Sequence, residues 1–234
     1  MSIKLVVFDM AGTTVADESG VMDTFKASLA KYGYDVPLTE IGPLMGYEKR
    51  LAIKTMLDKH EPDVAKLTDE LIDNIHQHFV DTLVNHYRNA TDLEALPHAE
   101  ETLLALRGQG IKVGLNTGFS RIIADSIINN LQWRERGLFD YMICSDEVAA
   151  GRPDPAMIHH IMAEAGITNP AEVAKVGDTE VDINEGKNVG CKYIIAVTTG
   201  AFTRQQLEPY SPTHIIDDVA DVVAIVTETS NATA

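Results

Sequence analysis

Four stretches of this chain combine carboxylates, hydroxyls, a guanidinium and glycines in a pattern suited to phosphoryl chemistry. They are Asp9-Met-Ala-Gly-Thr-Thr14, Asn116-Thr-Gly118, Gly151-Arg-Pro-Asp-Pro155 and Gly177-Asp-Thr-Glu-Val-Asp182. Asp9 and Asp178 can together hold a Mg²⁺ ion, which prefers a few carboxylates, substrate oxygens and retained waters. Thr117, with the backbone amide of Gly118 at a helix N-terminus, can cradle phosphoryl oxygens. Arg152 supplies fixed positive charge against the charge that develops in transfer. One carboxyl oxygen of Asp9 is then left as a nucleophile able to form an aspartyl-phosphate. Each residue alone has a plainer reading: Asp9 starts a loop, Thr117 caps a helix, Arg152 is a solvated loop cation, Asp178 and Asp182 cap the next helix. What separates them from coincidence is their conjunction, in order and each after an expected strand.

Those strands come from the pattern of the chain. Leu5–Phe8 is a short apolar run of the kind buried on both faces of a parallel sheet, and Asp9 follows at its carboxyl end. Residues 21–34 show helical spacing at Val21, Phe25, Leu29 and Tyr32, stopped by Gly33, and Tyr47–Lys59 and Asp63–Tyr87 read as two further helices. Val15–Gly20 and Pro37–Pro43 read as connections. From Leu96 helices alternate with strands at Lys112–Asn116, Tyr141–Cys144, Val173–Val176, Tyr193–Val197 and Ile215–Ile216. The last helix is expected at Val219–Thr227, with a frayed Ser-Asn-Ala-Thr-Ala tail. Alternation of this kind predicts a doubly wound α/β core with a right-handed parallel sheet, residues 1–14 and 90–234, and an inserted all-helical cap, residues 15–89. The ends of successive parallel strands share one crevice, which brings the four stretches together.

Composition bounds the function. At 234 residues, 45% hydrophobic and 23% charged, the chain can bury a sizeable core. Its formal charge of −16 argues against nucleic acid or an anionic membrane surface as partner. Cys144 and Cys191 each lie in an apolar run and are expected as buried free thiols. No apolar run approaches the ~18 residues of a membrane span, and the chain enters its first strand at once, so a cytoplasmic protein is expected. His76, His78, His86, His159 and His160 lack metal-ligand spacing with a third partner and read as surface or packing residues. Trp133 reads as part of an ordinary helix end.

The four stretches resemble the signature motifs of the haloacid dehalogenase superfamily, whose phosphotransferases use an Asp nucleophile with Mg²⁺. The resemblance covers nearly the whole chain. It implies Asp9 as nucleophile, Thr117 as phosphate-binding hydroxyl, Arg152 as the motif-three cation and Asp178 as metal ligand, with Asp182 a supporting or alternative metal carboxylate. The metal group it implies is Asp9, Ala11, Asp178 and Asp182, and the substrate-binding group Gly12, Met45, Thr117, Gly118 and Arg152. Most phosphatases of that superfamily read Asp-x-Asp, the second Asp protonating the leaving alcohol and then activating water. Here that position is Ala11, and a lost general acid–base costs about 10²- to 10⁴-fold. Asp-x-Ala-Gly-Thr with Gly-Arg-Pro resembles the phosphonatase branch, where a carbon–phosphorus bond is broken.

That branch carries a cap Lys that forms a Schiff base with the substrate aldehyde, in a Met-Gly-x-x-Lys stretch similar to Met45-Gly-Tyr-Glu-Lys49 here. Lys49, Ala52, Ile53 and Met56 fall at i, i+3, i+4 and i+7, so Lys49 shares the apolar face of its helix. Its place in the first turn sets the helix dipole against an ammonium, and desolvation acts the same way, while Glu48 opposes both. Schiff-base chemistry, a clamp for the distal end of a phosphorylated substrate and a snorkelling face residue are the three roles open to Lys49. Two positions depart from the phosphonatase pattern: Ala52 stands where the branch has a His, and Phe119 where it has a Tyr.

The expected activity is therefore Mg²⁺-dependent hydrolysis of a small aldehyde phosphonate such as phosphonoacetaldehyde. The alternatives are a phosphatase or phosphotransferase acting on a small phosphorylated metabolite of the phosphoglycolate or phosphosugar type, and a non-catalytic regulatory protein of the same fold. A homodimer through an apolar face of the cap is compatible with the resemblance.

Overall fold

The computed structural model describes residues 2–16 and 20–228. The expected frayed tail, and the middle of the Val15–Gly20 connection, lie outside the described residues. A six-stranded, all-parallel sheet runs in the order β3-β2-β1-β4-β5-β6. Its strands are β1 Leu5–Phe8, β2 Lys112–Thr117, β3 Tyr141–Cys144, β4 Val173–Gly177, β5 Tyr193–Val197 and β6 His214–Ile216. Strand β1 lies centrally: Val7 is in register with Gly114 of β2 on one side and Lys175 of β4 on the other.

The period-two alternation of side chains divides the core into two layers. Val6 and Phe8 of β1 join Val113, Leu115, Val176 and Ile195 in one cluster, while Leu5 and Val7 join Ile143, Val173, Ile194 and Ala196 in the other. The first layer is covered by α5 (Ala99–Gly108), α6 (Arg121–Asn130) and α10 (Asp221–Thr227), the second by α7 (Ala156–Glu164) and α8 (Glu180–Val189). Helices on both faces of a parallel sheet make the doubly wound architecture expected from the alternating pattern.

Among the described residues four α-helices lie between β1 and α5: α1 Gly20–Lys31, α2 Leu38–Ile41, α3 Lys49–His60 and α4 Asp69–Asn89. Phe25 of α1 and Phe79 of α4 meet edge to face at 5.8 Å, and their apolar faces continue into the layer under α5 and α6. The α4 helix starts six residues later than its periodicity suggests. Asp63 caps a separate 3₁₀ turn, Val64–Lys66, and the Thr68 hydroxyl accepts the Leu71 amide at 3.1 Å as the true cap of α4. Two short helices fall where only connections were expected, α2 and α9 (Arg204–Leu207), the latter begun by a Thr203–Gln206 capping box. Both cysteines are free and buried. Among the described residues no helix is long and apolar enough to cross a membrane.

Candidate active site

At the carboxyl end of β1 the Asp9 amide donates to the Val176 carbonyl at 3.0 Å, and the Thr14 hydroxyl donates to the Asp9 carbonyl at 3.0 Å. The backbone of the nucleophile candidate is thus tied to β4 and to its own turn. The Asp9 side chain is buried, and its Oδ1 accepts from Arg152 Nη1 at 2.7 Å. The same Nη1 donates to Asp182 Oδ1. Arg152 is 2% exposed, so it is no solvated loop cation, and its Nε has no hydrogen-bond partner. Asp182 also serves α8 as the third residue of a capping box, its Oδ2 accepting the Thr179 hydroxyl at 2.5 Å and the Thr179 amide at 3.2 Å. The cap and the ion pair are both its work.

Asp178 is held just as firmly. Its Oδ1 accepts the Thr13 hydroxyl at 3.1 Å and its Oδ2 the Ala201 amide at 2.7 Å. A Cβ at Gly200 would lie 2.0 Å from Asp178 Oδ2, so only glycine leaves room for this carboxylate. Oxygens of Asp9, Asp178 and Asp182 lie within 4.8 Å of one another. Burial, and then the neighbouring Asp9 and Asp182 charges, push the Asp178 carboxyl up to about 8. Burial also raises Asp9 despite Arg152, whereas Asp182, though buried, is held below the usual carboxylate range by Arg152 and Lys175.

Beneath this triad lies a group that motif reading missed. Lys175, in the middle of β4 and fully buried, places Nζ 2.5 Å from Asn116 Oδ1, 3.1 Å from Asp182 Oδ1 and 3.4 Å from Glu185 Oε2. Asn116 Nδ2 in turn donates to both oxygens of Glu185, at 2.8 and 2.9 Å. A lysine inside an otherwise apolar buried strand was a signal available in the sequence.

Four buried carboxylates, Asp9, Asp178, Asp182 and Glu185, thus face two buried cations, Arg152 and Lys175. Fully ionised, the group carries two surplus negative charges. Hard oxygen donors with that surplus fit a divalent cation such as Mg²⁺. Asp9 and Asp178 fit as its direct ligands. Asp182, with both oxygens engaged by Arg152, Lys175 and Thr179, fits as support behind them, and Ala11 offers a backbone carbonyl alone.

Over the triad opens a cavity of about 560 Å³. It is lined by Asp9, Ala11, Gly12, Met45, Lys49, Thr117, Gly118, Arg152 and Asp178, so of the residues given a catalytic, metal or substrate-binding role from sequence only Asp182 lies off its wall. Thr117 ends β2, and its hydroxyl accepts the Phe119 amide at 3.2 Å. Helix α6 begins at Arg121 behind its N-cap Ser120, so Gly118 stands two residues ahead of the cap at that helix N-terminus. The role of Gly118 is also steric. A Cβ there would lie 2.7 Å from the carbonyl oxygens of both Gly46 and Tyr47, the loop that leads into α3. The Tyr47 hydroxyl donates to Glu180 Oε1 at 2.8 Å, which ties the same loop to the start of α8.

Lys49, the first residue of α3, is 3% exposed and shares the buried face with Ala52, Ile53 and Met56, as its spacing predicts. Its Nζ donates to the Tyr47 carbonyl at 3.0 Å and lies 5.7 Å from the centre of the Phe119 ring. Glu48 turns its carboxylate back onto the helix as N-cap, accepting the Arg50 and Leu51 amides, both at 2.7 Å. The anion beside Lys49 is therefore engaged by the helix terminus.

Comparison with known proteins agrees with this architecture. A family model described as haloacid dehalogenase-like hydrolase matches residues 3–190, and the chain belongs to that family of enzymes. Within it the chain is of the phosphonatase-like type. It is 30% identical to the phosphonoacetaldehyde hydrolase of Paraburkholderia xenovorans, over 96% of this chain and 94% of that one. It is also 30% identical to the phosphonoacetaldehyde hydrolase of Latilactobacillus sakei, over 92% and 81%. The crystal structure of a phosphonoacetaldehyde hydrolase-like protein from Oleispira antarctica superposes with a TM-score of 0.84 at 24% identity, covering 97% of this chain and 92% of that one.

Proposed function

We propose that this hydrolase cleaves the carbon–phosphorus bond of a small aldehyde phosphonate such as phosphonoacetaldehyde, with Asp9 as nucleophile and Lys49 as Schiff-base amine. In this reading residues 15–89 form a cap over a core of residues 1–14 and 90–234. The observation that carries it is the pairing of Lys49 and Asp9 on the wall of one cavity, with a methyl group at Ala11 where an ester-cleaving enzyme would need an acid.

The Lys49 amine adds to the aldehyde carbon and, with loss of water, gives an iminium that draws electrons from the carbon–phosphorus bond. One Asp9 carboxyl oxygen then attacks phosphorus, the bonding pair moves into an enamine on the departing carbon, and an aspartyl-phosphate forms on Asp9. Protonation of that carbon and hydrolysis of the imine release the aldehyde and return the Lys49 amine. Water cleaves the aspartyl-phosphate and frees orthophosphate. Arg152 and the Thr117 hydroxyl hold the phosphoryl oxygens in line. A Mg²⁺ ion held by Asp9 and Asp178 would supply the charge that lets an anionic phosphonate approach an anionic carboxylate. The iminium makes the leaving carbon an electron sink, which removes the need for the missing second Asp.

The test is reductive trapping. Incubation with phosphonoacetaldehyde and related aldehyde phosphonates, followed by borohydride, gives a mass adduct mapped to Lys49. A substrate that turns over and leaves no adduct refutes the Schiff base. Turnover of phosphate monoesters in preference to all phosphonates would instead support the phosphatase reading.

A further inference from the structure

The buried group beneath the cavity contains three residues that the reaction above leaves idle: Lys175, Asn116 and Glu185. None lines the cavity, so none can touch substrate. All are fully buried, and their hydrogen bonds close on themselves. An ammonium has three donors, and Lys175 has three oxygens within 2.5 to 3.4 Å. Asn116 spends its carbonyl on Lys175 and its amide on Glu185, which fixes the orientation of all three. A closed polar network of this kind is rigid, but hydrocarbon of the same volume would commonly serve stability as well or better. Its position says what else it does.

Asp182 Oδ1 is where the network meets the site. That one oxygen receives both Lys175 Nζ, at 3.1 Å, and the Arg152 Nη1 that also holds Asp9 Oδ1 at 2.7 Å. Without Lys175, Arg152 would be the one cation among the described residues still paired with Asp182, with the Glu185 charge left unanswered beside it. Its guanidinium would be drawn toward the floor and away from Asp9.

Resting on the reading of Asp9 and Arg152 as the phosphoryl site, we infer that Lys175, locked by Asn116 and Glu185, is a positioning residue. It satisfies Asp182 so that Arg152 stays shared with Asp9 and available to the phosphoryl group.

The experiment compares wild type, Lys175→Met and the paired variant Lys175→Met with Glu185→Gln, which removes one charge of each sign. The readouts are thermal unfolding, steady-state kinetics, and calorimetric binding of orthophosphate in the presence of Mg²⁺. Lys175→Met alone leaves a buried anion unpaired and lowers both stability and activity. The paired variant recovers the melting temperature, yet its kcat stays down on the order of 10²-fold, the usual cost of misplacing a reacting group by about an ångström. Its orthophosphate affinity falls about tenfold, the worth of one charge-assisted hydrogen bond. If the paired variant regains stability, kcat and orthophosphate affinity together, Lys175 is structural and the inference is wrong. A paired variant that stays unstable but binds orthophosphate like wild type also overturns it. If wild type itself binds no orthophosphate, the phosphoryl-site reading falls and takes the inference with it.

Discussion

The substitution Gly118→Ala probes the contact between the sheet and the loop that carries Lys49. The new methyl carbon would lie 2.7 Å from the Gly46 oxygen and 2.7 Å from the Tyr47 oxygen, both backbone atoms with no rotamer to escape into. Ordinary contact needs roughly 3.5 Å, so the Gly46–Tyr47 loop must retreat by about 0.8 Å. Lys49 follows, because its Nζ donates to the Tyr47 carbonyl and its helix begins two residues on. A displacement of that size costs about 10- to 100-fold in kcat/KM when it separates reacting groups. Overpacking at a close contact costs about 1–3 kcal/mol, or roughly 3–10 °C in melting temperature for a chain of this length. Borohydride trapping on Lys49 should slow with kcat/KM, while orthophosphate binding at Arg152 on the sheet side, measured with Mg²⁺ present, stays near wild type. Activity within twofold of wild type at an unchanged melting temperature would refute the reasoning.

Two further outcomes follow from the geometry. Ala11→Asp places an acid on the cavity wall beside Asp9; hydrolysis of aryl or sugar phosphates should rise while phosphonate cleavage does not, and loss of both activities in a folded variant would contradict the role given to residue 11. The pH dependence of the metal-free protein follows from Asp178. Its carboxyl is raised in the fold from 3.8 to about 8, so the folded chain binds that proton more tightly than the unfolded one. The stability this contributes is complete below about pH 4 and is lost as pH rises through about 8, and the raised Asp9 and Glu185 carboxyls act in the same direction. In a chelator the melting temperature should therefore fall between pH 5 and about 8.5, and Mg²⁺ should restore most at the alkaline end; a flat or rising profile in chelator would contradict this.

Sequence made the strand-end residues visible because a parallel sheet leaves little choice: once Leu5–Phe8, Lys112–Asn116 and Val173–Val176 read as strands, Asp9, Thr117 and Asp178 had to share a crevice. The face of Lys49 was legible for a similar reason, since i, i+3, i+4 and i+7 fix a side of a helix. Arg152 is different. Nothing local distinguishes a solvated Gly-Arg-Pro from one whose guanidinium lies between two aspartates. The partnership of Lys175, Asn116 and Glu185 leaves no local trace because it spans three elements, and each residue alone has an ordinary use. Gly118 was read for its amide, whereas its missing Cβ matters as much, and a close approach between distant backbones leaves no local signature. The short helices α2 and α9 lack the length that makes periodicity readable, and the expected start of α4 at Asp63 caps a separate turn, the helix itself being capped by Thr68.

The place at which the helical segment enters and leaves the sheet has a consequence for how such a chain can change. It departs after β1 and returns before β2, and these two strands are neighbours at the centre of the sheet. Any segment spliced there must pass over the ends of the central strands, whatever its own sequence. On the proposed function, the residues that meet phosphorus then lie on the sheet, and those that meet the organic group, Lys49 among them, lie on the inserted segment. With Lys49 kept for the proposed Schiff base, exchange of Met22 and Met45, which line the cavity from that segment, is the route to favouring a different organic group while Asp9, Arg152 and Asp178 stay in place.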